Sequence, residues 1–208
     1  MSYKLDTDAA RNADSTGSII TAMGKYVGEI TQAYAVTATT GTKGLGIQFL
    51  SNGQYANFTL YTDKADGTPL MGRDQVMAIM TCVSLRDMPS QAGKILKWDN
   101  DAKKEIEVSA EVYPALKNKK IGIVFETESY EKRNGDEASK VVPKMFFQAA
   151  TEFTASEILD KVTAPKNLPL VIASLKHRPL RKPSAAPVRQ TSQSFSQSPS
   201  DLDDDILF

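Results

Sequence analysis

The sequence is poor in the residues that build disulfides and most metal sites. Its 208 residues include one cysteine, Cys82, and one histidine, His177. One cysteine can form neither an internal disulfide nor a thiolate metal cluster. The only histidine lies in a basic stretch, so a histidine-based catalytic triad and a multi-histidine metal site are excluded within one chain. Cys82 falls in the apolar run 76–85, which predicts a buried, inert thiol.

Long hydrophobic runs are also absent. No apolar stretch approaches the ~18 residues that a membrane-spanning helix needs. The N-terminus carries Asp6, Asp8 and Asp14 and no apolar segment of the kind found in secretory signals. Together with the single cysteine, these absences lead us to expect a protein of the reducing cytoplasm.

The formal net charge is zero for the whole chain but not for its parts. The 25 basic and 25 acidic side chains cancel over the whole chain, but four of the acids lie in the last eight residues. Residues 1–200 therefore carry a net charge of +4. A mildly basic body with an acidic end is compatible with binding a polyanion, although the excess is too small to establish it.

The C-terminal end is acidic and then abruptly apolar. Its sequence contains Asp201, Asp203, Asp204 and Asp205, followed by Ile206, Leu207 and Phe208. Acidic runs are usually solvated tails, but an exposed terminal phenylalanine has no core to join. We interpret residues 201–208 as a protein-interaction tip, in which the phenylalanine fills an apolar pocket of a partner and the carboxylates steer it toward basic residues.

The segment before this tip has the composition of a tether. Residues 183–200 contain six serines, three prolines and three glutamines, with no acid. Such a stretch cannot bury enough apolar surface to offset the entropy of ordering it. We expect a loosely ordered segment at 1–20, one domain at 21–175, and a basic neck with a disordered linker at 176–200. The neck contains Lys176, His177, Arg178, Arg181 and Lys182.

The residue pattern of the body predicts strands on both sides of one helix in the chain. Alternating β-branched and aromatic residues predict strands at 25–40, 45–51 and 55–62, with Asn52-Gly53 as a hairpin turn. In the first, Ile30, Tyr34 and Val36 share one parity. Helical spacing of apolar residues then predicts one helix at 73–85.

The second half of the body gives weaker signals. We expect an irregular stretch at 89–101, strands at 105–112, 121–131 and 140–151, and a hairpin turn at Gly135. Phe146 and Phe147 must face opposite ways, so that one of them joins the core. Thr154 and Glu157 predict a capping box, with Pro165 and Pro169 ending its helix. This order predicts a mainly β protein with an OB-fold, a small Greek-key barrel, although a β-sandwich would give similar signals.

Two resemblances point to function. The tip resembles the acidic tail of bacterial single-stranded DNA-binding proteins, except that Leu207 stands where that family has proline. Stretches 24–30, 78–82 and 154–160 look like a group of bacteriophage-encoded single-stranded DNA-binding proteins. The resemblance implies a phage protein of the host cytoplasm that coats single strands during replication, recombination and repair. It also implies that the tip recruits partner enzymes and can compete with DNA for the body's own groove.

Non-specific single-strand binding requires cations for phosphates and aromatic faces for bases. Tyr55 and Tyr61 share the outward parity of the third strand, while Trp98 is flanked by lysines. Each aromatic could instead pack beneath a loop, and each lysine cluster could serve only solubility. The full candidate set is Lys43, Tyr55, Tyr61, Lys94, Lys97, Trp98, Lys117, Lys119, Lys120, Lys132 and Arg133.

Three other functions stay open at this point. One is an annealing or recombination-mediator protein, and another is an adaptor that captures host repair enzymes without binding DNA. The third is a Mg²⁺-dependent nuclease built on carboxylates such as Glu126, Glu128 and Asp136. Glu126 and Glu128 share one face of a strand, but we expect these carboxylates to be solvated, and no phosphate-cradling P-loop is present. We expect no enzymatic activity and no cofactor or metal. Oligomeric state is open.

Overall fold

The computed structural model describes residues 18–99, 104–132 and 134–180, and the fold of this part is mainly β. The strands are β1 (Ser18–Ile19), β2 (Gly24–Thr37), β3 (Lys43–Ser51), β4 (Gln54–Asp63), β5 (Gln91–Asp99), β6 (Lys104–Val112), β7 (Lys120–Glu131) and β8 (Glu137–Phe147). The helices are α1 (Met71–Cys82), α2 (Ala155–Leu159) and α3 (Asn167–Ala173), with a 3₁₀ turn at Pro114–Leu116. None of these helices has the length and apolar character needed to cross a membrane.

The eight strands form one curled sheet that resembles half a barrel. Its central strand is β2, which pairs with β7 through its first half and with β3 through its second half. Further pairing gives the order β1-β4-β3-β2-β6-β5, while β8 pairs with β7. Helix α1 connects β4 to the β5–β6 hairpin and packs against β4 and β8. The sheet wraps a core that includes Ile47, Phe49 and Phe125.

The β3–β4 hairpin follows the predicted pattern. Its turn residues Asn52 and Gly53 have φ of 48° and 74°, the left-handed values that a two-residue hairpin requires. On β4 the predicted inner face is confirmed by the burial of Ala56 and Leu60, and the alternate residues Asn57 and Thr59 point outward. The sequence signal was strong here because turn chemistry and alternation agree.

A β-bulge in β2 overturns the predicted parity of this strand. The register with β3 shifts between Ile30 and Gln32, which places one extra residue, Thr31, in β2. Ile30 therefore points into the core, whereas Tyr34 and Val36 lie on the opposite face, although all three share parity in the sequence. An inserted residue reverses the side of every later side chain.

The sequence suggested an irregular stretch at 89–101, but Gln91–Asp99 within it forms the strand β5. This strand pairs over its whole length with β6 in an antiparallel hairpin. Of its residues only Ile95 is buried, so the apolar alternation that usually marks a strand is nearly absent. Backbone pairing with β6 stabilises the strand without that pattern.

Phe146 and Phe147 both belong to a core, which corrects the expectation that only one of them is buried. Phe146 joins the main core, and Phe147 packs with Val124 and Leu168 in a second cluster on the other side of the sheet. Leu168 belongs to α3, so this helix covers a sheet face that would otherwise meet water. Strand β8 ends at Phe147, before the predicted limit of 151, and a turn follows.

The C-terminal helices depart from the prediction at their prolines. The capping box of Thr154 and Glu157 is present, and α2 ends at Leu159. Pro169 does not stop a helix, because it lies in the first turn of α3, where a missing N–H is tolerated. Residues after α3 return to β7, where Arg178 N–H donates to the carbonyl of Thr127 at 2.7 Å. The first part of the basic neck thus contacts the body.

Candidate nucleic-acid interface

A largely polar surface covers the β2–β3–β4 part of the sheet on the side away from the main core. We call it the outer face, and it is formed by alternate residues of β2, β3 and β4. These are Gln32, Tyr34, Val36, Gly44, Gly46, Gln48, Leu50, Tyr55, Asn57, Thr59 and Tyr61. Their strand neighbours Ile47, Phe49 and Leu60 are buried in the core. Strand pairing therefore fixes the outer face as one continuous surface.

Tyr55 and Tyr61 lie at opposite ends of the outer face. Both are half-buried, and the six-residue separation along β4 corresponds to about 20 Å. Asn57 and Thr59 lie between them. The shared parity predicted from the sequence is confirmed by the register. Two rings so far apart can stack on different bases of one strand.

Tyr34 is a third outer-face tyrosine, which the sequence did not identify because of the β-bulge. Its ring lies against Gly46, where a Cβ atom would come within 2.7 Å of the ring carbon Cε2. Lys97 Nζ lies 5.7 Å from the ring centroid, within the range of a cation–π contact. Burial raises the pKa of the Tyr34 hydroxyl. Gly46 thus creates the space in which Tyr34 holds Lys97 over the sheet.

Side-chain amides connect the β5–β6 hairpin to the outer face. Gln32 Oε1 accepts the backbone N–H of Leu96 at 2.7 Å, and Gln32 Nε2 donates to the Leu96 carbonyl at 3.2 Å. Gln32 Nε2 also donates to Gln48 Oε1 at 2.9 Å. Thr31 Oγ1 donates to the same oxygen at 2.7 Å. The bulge residue and two glutamines therefore position β5 beside the outer face.

The hairpin separates the predicted binding residues that it carries. Lys97 shares a face with buried Ile95, whereas Lys94 and Trp98 lie on the reverse face. That reverse face is exposed and also carries Glu105, Glu107 and Glu111. Lys94 Nζ is 2.7 Å from Glu107 Oε2, and this hydrogen bond and the carboxylate charge raise the pKa of Lys94. The acidic surroundings of Trp98 and Lys94 do not favour phosphate.

Four further lysine candidates lie at two places, the start of β3 and the turn 117–120 that leads into β7. Lys43 is exposed at the start of β3, beside Gly44 of the outer face. Lys120 is in register with Glu29, Glu29 with Leu50, and Leu50 with Tyr55. These four residues form one row across β7, β2, β3 and β4. Lys119 and Lys120 line a groove of about 480 Å³ with Val27 and Gln148. Lys117 is exposed in the same turn.

Some predicted residues lie elsewhere or outside the described part. Lys132 is exposed in the β7–β8 turn, where its N–H donates to the carbonyl of Asp136 at 2.8 Å. Arg133 lies outside the described residues. So do the linker and the whole interaction tip, Asp201, Asp203, Asp204, Asp205, Ile206, Leu207 and Phe208.

Glu126 is buried rather than solvated, which corrects the expectation for this carboxylate. Arg178 donates Nε to its Oε2 at 2.7 Å, and Lys144 Nζ lies 3.0 Å from Oε1. Burial alone would raise the pKa of Glu126, but the hydrogen bonds and charges of Lys144 and Arg178 outweigh it and hold the pKa below its usual range. Within residues 18–99, 104–132 and 134–180, no three His, Cys, Asp or Glu side chains form a metal-binding group.

Cys82 and His177, the one cysteine and the one histidine of the sequence, have surroundings that suit a structural role. Cys82 is buried at the end of α1, and burial raises the pKa of its thiol to about 12, which fits the predicted inert thiol. The His177 ring nitrogens lie 2.9 Å from Thr127 Oγ1 and 2.8 Å from Ser129 Oγ. These contacts fix the first part of the neck against β7.

Comparison with known proteins gives no assignment. No family model matches the chain, and no curated protein matches it. The outer face and the sequence features therefore carry the functional argument.

Proposed function

We propose that this chain is a non-enzymatic single-stranded DNA-binding protein that coats unpaired strands without strict sequence specificity. The observation that carries the proposal is the outer face, which places Tyr55 and Tyr61 at its two ends, with Lys43 near the Tyr61 end and Lys97 over the ring of Tyr34. Stacking rings combined with nearby cations are the two requirements of a single-strand surface. Neither lysine forms an ion pair within the described residues.

The arrangement of elements supports an OB-fold. A long first strand (β2), two further strands in a meander (β3 and β4), a helix (α1) and a final hairpin (β7 and β8) occur in this order, with the β5–β6 hairpin inserted between α1 and β7. The first of these strands also pairs with β7, as closure of a small Greek-key barrel requires. OB-folds bind oligonucleotides on the face of their second and third strands. In this chain those strands are β3 and β4, which carry most of the outer face.

We assign the lysine turn 117–120 to the border of this surface and leave Trp98 and Lys94 out of it. Lys120 ends the row that begins at Tyr55, next to Glu29, and Lys117 and Lys119 lie in the same turn, so a strand leaving the outer face there would meet a net positive charge. Trp98 and Lys94 share their face of the hairpin with three glutamates. A phosphate backbone would be repelled there.

We further propose that residues 201–208 recruit replication, recombination or repair enzymes of a bacteriophage-infected cell. The acidic, then apolar, end of the sequence and its resemblance to bacterial tails support this step. The body and the tip would then have separate tasks, one binding DNA and the other binding proteins.

Titration of a fluorescent oligothymidylate at two salt concentrations tests the proposal. We expect saturable binding that weakens at the higher salt concentration, together with no cleavage of the strand when Mg²⁺ is added. Absence of binding in dilute buffer would refute it. If that result were accompanied by Phe208-dependent capture of repair enzymes, the chain would be an adaptor. A strand-annealing assay distinguishes simple coating from annealing.

A further inference from the structure

The amide of Gln32 has only one possible orientation. Leu96 N–H can only donate, and the Leu96 carbonyl can only accept, so the atom 2.7 Å from that N–H is the Gln32 oxygen. The atom 3.2 Å from the carbonyl is then the Gln32 nitrogen. Backbone groups cannot exchange these roles, and the ambiguity that usually affects amide side chains is removed.

Gln32 in turn fixes the amide of Gln48. Gln32 Nε2 lies 2.9 Å from Gln48, and because it is a donor, the atom it meets must be Gln48 Oε1. The hydroxyl of Thr31 lies 2.7 Å from the same oxygen and also donates to it. The acceptor end of Gln48 is therefore occupied twice by protein donors. Its other end, Nε2, is a donor whose orientation is set.

The Gln48 nitrogen is available on the outer face. It donates to no protein group within the described residues. Because it is also not a buried atom without a partner, it is open to solvent. Gln48 is in register with Gln32 on one side and with exposed Asn57 on the other. Along β4, Asn57 lies between Tyr55 and Tyr61. A base that lies on the outer face between the positions of the two tyrosines would thus come near the two N–H groups of Gln48 Nε2, whose orientation is fixed.

We infer that Gln48 selects bases by the group at pyrimidine C4 or purine C6, favouring keto bases over amino bases. Glutamine reads adenine by using its oxygen and nitrogen together, and here the oxygen is already occupied. Thymine O4 and guanine O6 are acceptors that suit a donor, whereas cytosine N4 and adenine N6 are themselves donors. The inference rests on the proposed function and adds to it a preference for thymine and guanine.

Thymine and cytosine oligonucleotides of equal length provide the test. Both are pyrimidines, and they differ in the C4 group that Gln48 is inferred to read, in the protonation of N3 and in the C5 methyl group of thymine. Titration at one salt concentration should give about fivefold tighter binding of oligothymidylate than of oligocytidylate, the effect of about one net hydrogen bond. The same ratio measured in Gln48→Met provides the baseline for any difference in stacking.

Two further variants distinguish base reading from a structural effect. Gln48→Glu keeps an oxygen for Thr31 and Gln32 and places a second acceptor where the donor was, so the preference should invert toward oligocytidylate. Its negative charge lowers affinity for both strands, and for this reason the ratio is the readout. Gln32→Met leaves Gln48 in place but removes its orienting donor, and the ratio should fall toward that of Gln48→Met.

The possible outcomes are distinguishable. A ratio that is the same in the wild type and in Gln48→Met would overturn the inference and leave single-strand binding intact. A ratio that fails to invert in Gln48→Glu would also contradict it. If neither oligonucleotide binds to the wild-type protein, the proposed function itself is wrong, and base reading by Gln48 is wrong with it.

Discussion

Arg178 donates its Nε–H to one oxygen of Glu126 at 2.7 Å, and its Nη2 lies 2.6 Å from the same oxygen, across 52 positions of sequence. The carboxylate is buried on β7, and the arginine belongs to the segment that follows α3. Removing one member of a buried pair leaves the other charge in a poor environment, which costs far more than breaking an exposed pair. This pair therefore attaches the neck to the body.

Arg178→Ala should lower the free energy of unfolding by about 2 kcal/mol, because among the described residues Glu126 would keep only Lys144 as a cationic partner. The matched control is Lys94→Ala, which breaks the exposed pair with Glu107 and should leave the free energy of unfolding almost unchanged. Urea denaturation of both variants at neutral pH measures the difference. Equal losses in the two variants would contradict a structural role for the Glu126 pair.

The lowered pKa of Glu157 predicts that the fold loses stability in acid. Burial alone would raise its pKa, but four hydrogen bonds to the carboxylate, from the backbone of Lys166, Thr154 and Asn167 and from the Thr154 hydroxyl, lower it to about 2. A folded-state pKa below the ordinary value means that the ionised carboxylate stabilises the fold at neutral pH. That stabilisation should disappear as pH falls from about 5 toward 2.

Glu157→Gln tests this assignment. At pH 7 the variant should lose about 2 kcal/mol of unfolding free energy. The NH₂ group of the glutamine side chain would face N–H donors that bind the carboxylate in the wild type, and two donors cannot form a hydrogen bond with each other. The difference from the wild type should shrink as pH approaches 2, where the wild-type carboxylate also becomes neutral. Glu137→Gln, at an exposed site, is the control. Urea midpoints that differ by the same amount at pH 7 and pH 3 would count against the assignment.

Local signals predicted the strands of the half-barrel well, and long-range contacts explain the departures. Asn52-Gly53 fixes its hairpin because the two residues alone satisfy the turn. The bulge at Thr31 carries no comparable signal, since the extra residue is defined only by pairing with β3. Tyr34 was missed for that reason. Trp98 and Lys94 were grouped with Lys97 because sequence proximity does not show which face of β5 each residue occupies.

The second core explains another limit of the sequence. Phe147 is buried only because α3 returns to cover the sheet, and that packing depends on Leu168, 21 positions later. Likewise Glu126 looks like a surface carboxylate until Arg178 reaches it. The chemistry of both sites is decided by contacts between distant segments, which no local pattern encodes.

Tyrosine substitutions test the proposed stacking surface. Tyr55→Ala and Tyr61→Ala should each weaken oligothymidylate binding by about 1–3 kcal/mol, the usual effect of losing one base–aromatic stack. Trp98→Ala removes a larger aromatic side chain from the acidic face of the hairpin and should have little effect. Fluorescence titrations at one salt concentration measure all three. A larger loss for Trp98→Ala than for either tyrosine variant would move the binding surface to the hairpin.

Deletion of residues 201–208 tests the division of tasks between body and tip. Because four aspartates are removed, the truncated chain should bind oligothymidylate as tightly as the full chain or more tightly. Capture of partner enzymes should be lost, and Phe208→Ala should reproduce that loss without changing the acids. Filter binding and pull-down measure the two properties. A large drop in strand affinity on truncation would contradict the division.

Lysine substitutions test which cations meet phosphate. If about six phosphates are neutralised, the logarithm of the binding constant should fall with the logarithm of salt concentration at a slope of roughly −4. Lys43→Gln and Lys97→Gln should each reduce the magnitude of that slope by about 0.7, since each removes one contact with a single strand. Lys94→Gln should leave it unchanged, because Glu107 lies 2.7 Å from the Lys94 ammonium and compensates its charge. A reduced slope in Lys94→Gln together with unchanged slopes in the other two would place the phosphates on the reverse face of the hairpin.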